Sequence, residues 1–297
     1  MSEDFTYLDE FTPEELANFK EASRLKAVES EHARSFVFEE ATGRRRGRII
    51  AEGDSWFDYL PGTDLIDCLR NHFDYDIEKF AKAGDTLENM IYGTGINRDF
   101  QREVPQIYTI LRRIEQIKPK VFLFSGGGND VAGDEFESYL NHNLSGLPAF
   151  REEFAEQMIN EVFRQYFEGL IAAVALRSPD THIVTHGYGH TIPTGKGVDV
   201  LFFTFAGPWL RPALAQKAIL DVNEQKEIVF KIIDLYNEML ASLDVTHSNF
   251  HYVDLRPILD PHADWANELH LINSAYARAA QRIHETMAPL FTTAPTH

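Results

Sequence analysis

Val121-Phe122-Leu123-Phe124 is a run of four residues without one polar side chain. A strand with one face in water alternates apolar and polar residues, whereas a strand apolar on both faces sits inside a parallel sheet covered on both sides. Parallel neighbours cannot be joined by a tight hairpin and need long crossovers, usually helices. The flanks of this run fit that demand. Residues 102–117 place Val104, Ile107, Tyr108, Leu111 and Ile114 at helical spacings of three and four, with Pro105 in the first turn and Lys118-Pro119-Lys120 as the stop. On the other side, Arg151 to Arg177 reads as one long helix with Phe154, Met158, Phe163, Phe167, Leu170 and Val174 on one face, broken by Ser178-Pro179-Asp180.

The same alternation runs through most of the chain. Ile49-Ile50-Ala51 reads as a buried strand ending at Gly53, and Thr63 is the expected N-cap of a helix bearing Leu65, Ile66 and Leu69. Tyr75–Ala81 is the second strand, after which Asp85 or Thr86 caps a short helix. His182–Gly187 and Phe250–Leu255 are the fourth and fifth strands. Asp221-Val222-Asn223-Glu224 matches a capping box and opens a helix to about Leu243. The last helix covers Ser274 to Met287, before Pro289, and a short one is expected over Pro212 to Leu220. A helix is also expected within residues 12–35, opened by Thr12-Pro13-Glu14-Glu15. Residues 188–211 are rich in Gly and Pro and contain Phe202, Phe203, Phe205 and Trp209; they are expected to be an aromatic loop insertion. The order predicts an α/β fold with five parallel strands and helices on both faces, in a single domain over 1–297 with a helical extension at 1–42.

Composition narrows the partners. With 28 basic and 46 acidic residues the net charge is −18, a field that repels nucleic-acid phosphates and anionic membrane surfaces. Nucleic acid is therefore not an expected partner. A single cysteine, Cys68, rules out an internal disulfide and is expected in the core. Met-Ser-Glu-Asp-Phe-Thr lacks the basic and apolar regions of a signal peptide, and no run approaches a membrane span, so a cytoplasmic location is expected. The basic stretch at 43–48 is expected to be solvated.

Four residues stand where ligands bind in open α/β sheets, at strand carboxyl ends or in the loop before the last helix. They are Ser55, Gly84, Asn129 and His270. Each has an ordinary explanation alone: a capped turn, a turn glycine, an Asx-turn and a satisfied histidine. Together they supply what acyl transfer needs. Ser55 is the nucleophile and His270 the base, and donors for the oxyanion come from the N–H groups of Ser55 and Gly84 and the amide of Asn129.

This set resembles the SGNH, or GDSL-like, hydrolases over roughly residues 46–290. Gly53-Asp54-Ser55, Ala83-Gly84-Asp85, Gly126-Gly127-Gly128-Asn129-Asp130 and Trp265-Ala266-Asn267-Glu268-Leu269-His270 fall in the order of that family's four blocks. The resemblance implies a flavodoxin-like three-layer sandwich and hydrolysis of esters or thioesters of small molecules without metal or cofactor. Two positions depart from the pattern: Asn267 stands where the family has Asp, and Leu271 where it often has Pro. The third catalytic residue is therefore Asn267 or a substitute carboxylate, with Asp264 preferred over Glu268. A thioesterase, a carbohydrate O-acetylesterase and a non-catalytic binding protein that kept the fold stay open as alternatives. Other constellations fail. No Gly-x-Ser-x-Gly surrounds Ser55, and Thr194-Gly195-Lys196-Gly197 lacks the spacing of a phosphate-binding loop. Of His182, His186 and His190 only the first two share a strand face, so no metal site is expected.

Overall fold

A computed structural model describes residues 47–292 except 60, 61, 97, 99, 103, 201 and 202. The helix expected within 12–35, most of the 43–48 basic stretch and Phe202 lie outside the described residues. Five strands form one parallel sheet: β1 (Arg48–Gly53), β2 (Asp76–Lys79), β3 (Val121–Ser125), β4 (His182–His186) and, later in the chain, β7 (Phe250–Val253), in the order β2-β1-β3-β4-β7. This is the doubly wound order of flavodoxin-like folds, in which the chain reverses direction between β1 and β3. Register sets Gly53 opposite Ser125, so both strands end at the same level. Whatever follows them meets at that crevice. The apolar run in β3 is fully buried, as are Ile49, Ile50 and Ala51 beside it. Each large apolar side chain so buried stabilises the fold by about 1.5–3 kcal/mol.

Helices α1 (Leu65–Phe73), α2 (Leu87–Tyr92), α3 (Gln106–Ile117) and the short α4 (Gly128–Ala132) follow the first three strands. The cap of α1 is Asp64, not Thr63: the Asp64 carboxylate accepts from the N–H of Asp67 at 2.8 Å, where a negative charge also meets the helix dipole. Thr86 caps α2, accepting from the N–H of Asn89. Helix α3 begins four residues later than its apolar spacing suggested, because Pro105, with no N–H to give, stands at its N-cap in an extended conformation. The long helix is continuous but not regular: α5 (Glu152–Gln157) passes through a π-helical segment (Met158–Phe163) into α6 (Arg164–Arg177).

The insertion is more ordered than a loop. Antiparallel β5 (Val198–Val200) and β6 (Phe203–Ala206) form a small ribbon, and α7 (Leu210–Gln216) begins inside the stretch. Strands of three and four residues are too short to print a period in the sequence. Helix α8 (Val222–Thr246) opens on Asp221, whose carboxylate accepts from Asn223 and Glu224, and α9 (Asn273–Met287) covers the sheet near α1. Cys68 is buried in the core, and burial pushes its thiol up to about 12. Among the described residues no helix is long and apolar enough to cross a membrane.

Candidate active site

The turn after β1 is held from inside. Gly53 leaves no room for a side chain, since an added Cβ would lie 2.7 Å from Phe57 and 2.8 Å from Ser125. Asp54 is 1% exposed. Its Oδ1 accepts from the Trp56 N–H at 2.9 Å and the Ser125 hydroxyl at 2.9 Å, and its Oδ2 from the Tyr188 hydroxyl at 2.6 Å. Burial raises its pKa to about 6 and these bonds oppose the rise. With both neighbours fixed, Ser55 projects from the sheet edge.

His270 meets it there, with Nε2 2.7 Å from Ser55 Oγ. The ring is 4% exposed, stacked on Tyr59 at 4.2 Å and met edge-on by Trp209 at 5.8 Å. Its Nδ1 lies 3.0 Å from Asn267 Oδ1, which also accepts the N–H groups of Leu269 and His270, each at 2.9 Å. Asn267 Nδ2 donates to the Tyr59 hydroxyl at 3.2 Å. Two backbone donors thus identify which end of the amide is oxygen, and that oxygen assigns the imidazole tautomer. Nδ1 carries the proton, and Nε2 is left with a lone pair facing the serine hydroxyl. Among the described residues no carboxylate compensates for burial, which lowers the pKa of His270 to about 3.

Asp264, the preferred substitute carboxylate, does not reach the histidine. It pairs with Arg278 of α9 at 2.5 Å and accepts from the N–H of Asp260 at 2.8 Å. An available guanidinium outcompetes a neutral imidazole for a carboxylate. Glu268 turns the other way, into the insertion.

Side-chain bonds tie the segments that carry Gly84 and Asn129. Gly84 has φ +78°, and an added Cβ would touch nothing, so the residue is glycine for its backbone rather than for space. Asn129 spends one amide hydrogen on the carbonyl of Asp85 at 2.8 Å, which ties it to the Gly84 turn. Asp130 accepts the N–H of Leu87 at 2.8 Å, a second tie between the same segments, and burial raises its pKa to about 7. Tyr188 links the other pair: its hydroxyl donates to Asp54 and accepts the N–H of Gly128 at 3.1 Å. Trp56 donates its indole N–H to the carbonyl of Leu269 at 3.0 Å, which fixes the histidine loop against the serine turn.

The sequence alone assigns no part in the site to Trp56, Tyr59 or Tyr188. Trp56 had a signal, its place directly after Ser55. Tyr188 had none, because its partners lie 134 and 60 residues away. The three histidines in and after β4 serve separate partners. His182 bonds His251, buried His186 donates to the carbonyl of Gly187, and His190 pairs with Asp234. Among the described residues no group of three or more His, Cys, Asp or Glu is placed to hold a metal ion.

Beside Ser55 and Asn129 lies a pocket of about 30 Å³, walled by Trp56, Val131, Ala132, Ile233, Trp265 and Leu269. That is room for roughly two water-sized groups.

No family model matches the sequence, and no curated protein does. Solved structures do. An extracellular lipase from Streptomyces rimosus superposes with a TM-score of 0.50 at 14% identity, covering 80% of this chain and 98% of its own. Phospholipase A1 from Streptomyces albidoflavus gives 0.49 at 12% identity, over 81% and 98%. A family 3 carbohydrate esterase from Clostridium thermocellum gives 0.43 at 13%, over 82% and 96%. The chain has the fold of the SGNH and GDSL-like hydrolases.

Proposed function

We propose that this chain is a serine hydrolase that cleaves carboxylic esters of short acyl groups. The observation that carries the reading is the line Ser55 Oγ, His270 Nε2, His270 Nδ1, Asn267 Oδ1, with contacts of 2.7 and 3.0 Å. Ser55 Oγ attacks the ester carbonyl carbon while its proton passes to His270 Nε2. The carbonyl oxygen becomes an oxyanion facing the N–H groups of Ser55 and Gly84 and the free amide hydrogen of Asn129. Collapse expels the alcohol, which takes the proton from His270, and leaves an acyl-enzyme. Water then attacks the acyl carbon, gives its proton to His270, and the acid departs as Ser55 recovers its own.

Asn267 supports this cycle without a charge. It orients the imidazole and accepts from Nδ1, as the aspartate of a triad does, but stabilises the imidazolium less. The small apolar pocket beside Ser55 suits the methyl of an acetyl group. Hydrolysis of p-nitrophenyl esters is therefore expected to fall by about tenfold or more from acetate to octanoate. Equal rates on both would remove the short-acyl assignment and leave the serine mechanism standing.

Asn129→Ala is expected to lower kcat by roughly 10²–10³ with little change in KM, as for one oxyanion donor. An effect confined to KM would make Asn129 a substrate-binding residue instead. Activity is also expected to survive exhaustive chelation, because every proton in the cycle is carried by His270. Loss with EDTA and rescue by zinc would replace this mechanism with a metal-assisted one.

A further inference from the structure

Glu268 stands between Asn267 and His270, and none of its surface is exposed. A carboxylate removed from water needs strong partners. Among the described residues it has no cation. It has four backbone N–H groups instead: Oε1 accepts from Gly195 at 2.8 Å and Arg211 at 3.2 Å, and Oε2 from Trp209 at 2.7 Å and Leu210 at 2.8 Å. Its own backbone adds two bonds. The carbonyl accepts from the Thr191 hydroxyl at 2.9 Å, and the N–H donates to the carbonyl of Lys196 at 3.3 Å. All of these partners belong to residues 191–211. Gly195 and Trp209–Arg211, on either side of the ribbon, are thus tied together by one side chain of the histidine loop.

Trp209 is where that anchorage reaches the chemistry. Its N–H is held by Glu268, and its ring stands edge-on to His270 at 66°. Tyr59 covers the imidazole with a nearly parallel ring, at 18°. The base is thus closed between two aromatic side chains, one from the turn after β1 and one from the insertion.

We propose that Glu268 is a positioning residue: its carboxylate gathers the start of α7 and Gly195, seats Trp209 against His270, and so shields the imidazole from bulk water. The catalytic consequence rests on His270 acting as the base under the function proposed above, whereas the seating itself does not.

The ionisable groups on the elements packed around the imidazole are Asp54, Tyr59, Arg211, Asp264, Glu268 and Tyr276. Asp54, behind the serine turn, is bonded to Trp56, Ser125 and Tyr188. Tyr59 accepts from Asn267, the Arg211 guanidinium donates to the carbonyl of Thr194, and Asp264 pairs with Arg278. Tyr276 of α9 is buried beside Trp56 and Tyr59, and burial keeps its phenol protonated. Desolvation therefore dominates the protonation of His270. Letting water in favours the imidazolium, so its pKa rises from about 3 toward the ordinary histidine value.

Glu268→Gln replaces one acceptor oxygen by an NH₂ group that confronts two N–H donors. Trp209→Leu keeps the carboxylate clamp and removes the ring. Both variants are read by NMR titration of the His270 Cε1–H signal, assigned by its loss in His270→Asn, and by kcat/KM for p-nitrophenyl acetate against pH. In the wild type, His270 is expected to stay neutral down to the acid limit of the fold. In both variants it is expected to titrate above about pH 4, with the acid limb of kcat/KM moving up alongside. A merely structural role would reduce the active fraction equally at all pH and leave the titration where it was. An unmoved titration in folded Glu268→Gln overturns the proposal. If that variant does not fold, an unmoved titration in Trp209→Leu overturns it. A titration that moves while the acid limb stays put upholds the seating and refutes His270 as the base.

Discussion

Ser55→Ala is expected to abolish ester hydrolysis, lowering kcat by about 10⁴–10⁶ while the protein stays folded. The size follows from the role. Without Oγ there is no acyl-enzyme, and what remains is attack by unassisted water near the oxyanion donors. The fold should tolerate the change, because Ser55 Oγ contacts only His270 Nε2 among the hydrogen bonds of the site. The turn is held by Asp54 through Trp56, Ser125 and Tyr188, and none of these bonds uses the Ser55 side chain. The variant and the wild type should therefore melt within a degree or two of each other, as substitutions away from packed or bonded groups usually do. Turnover within tenfold of the wild type in a folded Ser55→Ala protein would remove Ser55 from the chemistry.

The second large effect concerns His270 and the neutral residue behind it. His270→Ala is expected to cost as much as Ser55→Ala, because the two act as a unit. Asn267→Ala should cost less, roughly 10²-fold. It removes an acceptor shared by Leu269, His270 and Nδ1, so the loop loosens and the tautomer is no longer fixed. Asn267→Asp should retain or raise activity. The carboxylate keeps all three acceptor contacts, and the Tyr59 hydroxyl that now accepts from Nδ2 can turn to donate. The pH dependence gives the sign. His270 must be neutral to take the serine proton, and burial without a counter-charge holds its pKa at about 3. A negative charge at 267 stabilises the imidazolium, so the acid limb of kcat/KM moves to higher pH while the plateau holds or rises. The measurement is kcat/KM of the four proteins across pH. An Asn267→Asp variant as inactive as His270→Ala would mean that Asn267 does not orient the base.

The sheet was readable because its signals are local. Val121–Phe124 has no polar face to offer water, and Ile49–Ala51 is likewise apolar, so both had to be buried wherever they fell. The helices between them announce themselves by spacing. Ser55, Gly84, Asn129 and His270 could be picked out because each sits in a short block at a strand end or before a helix. What the sequence hides is the choice of partner. Asp264 lies six residues before His270 and looked able to reach it, but Arg278, on the next helix, takes the carboxylate. Asn267, neutral where the family pattern has Asp, is the group that meets Nδ1. Glu268, the second candidate carboxylate in the sequence, turns away from His270 and is buried, because its four partners are backbone N–H groups that no composition reveals. The ribbon in 198–206 escaped for a different reason: its strands are too short to alternate visibly.

The lipase from Streptomyces rimosus shares the fold at 14% identity, and a fold at that distance does not carry substrate. The acyl preference argued here rests on the cavity beside Ser55 alone.

The central claim is that Ser55 is a nucleophile activated by His270. Intact-mass analysis after treatment with a fluorophosphonate addresses it directly, since the reagent needs both an activated hydroxyl and an oxyanion site. The account predicts one adduct per chain in the wild type, mapped to Ser55 by peptide sequencing, with none in Ser55→Ala and strongly slowed labelling in His270→Ala. A wild-type protein that hydrolyses esters yet takes no adduct, or takes it on another residue, would contradict the account.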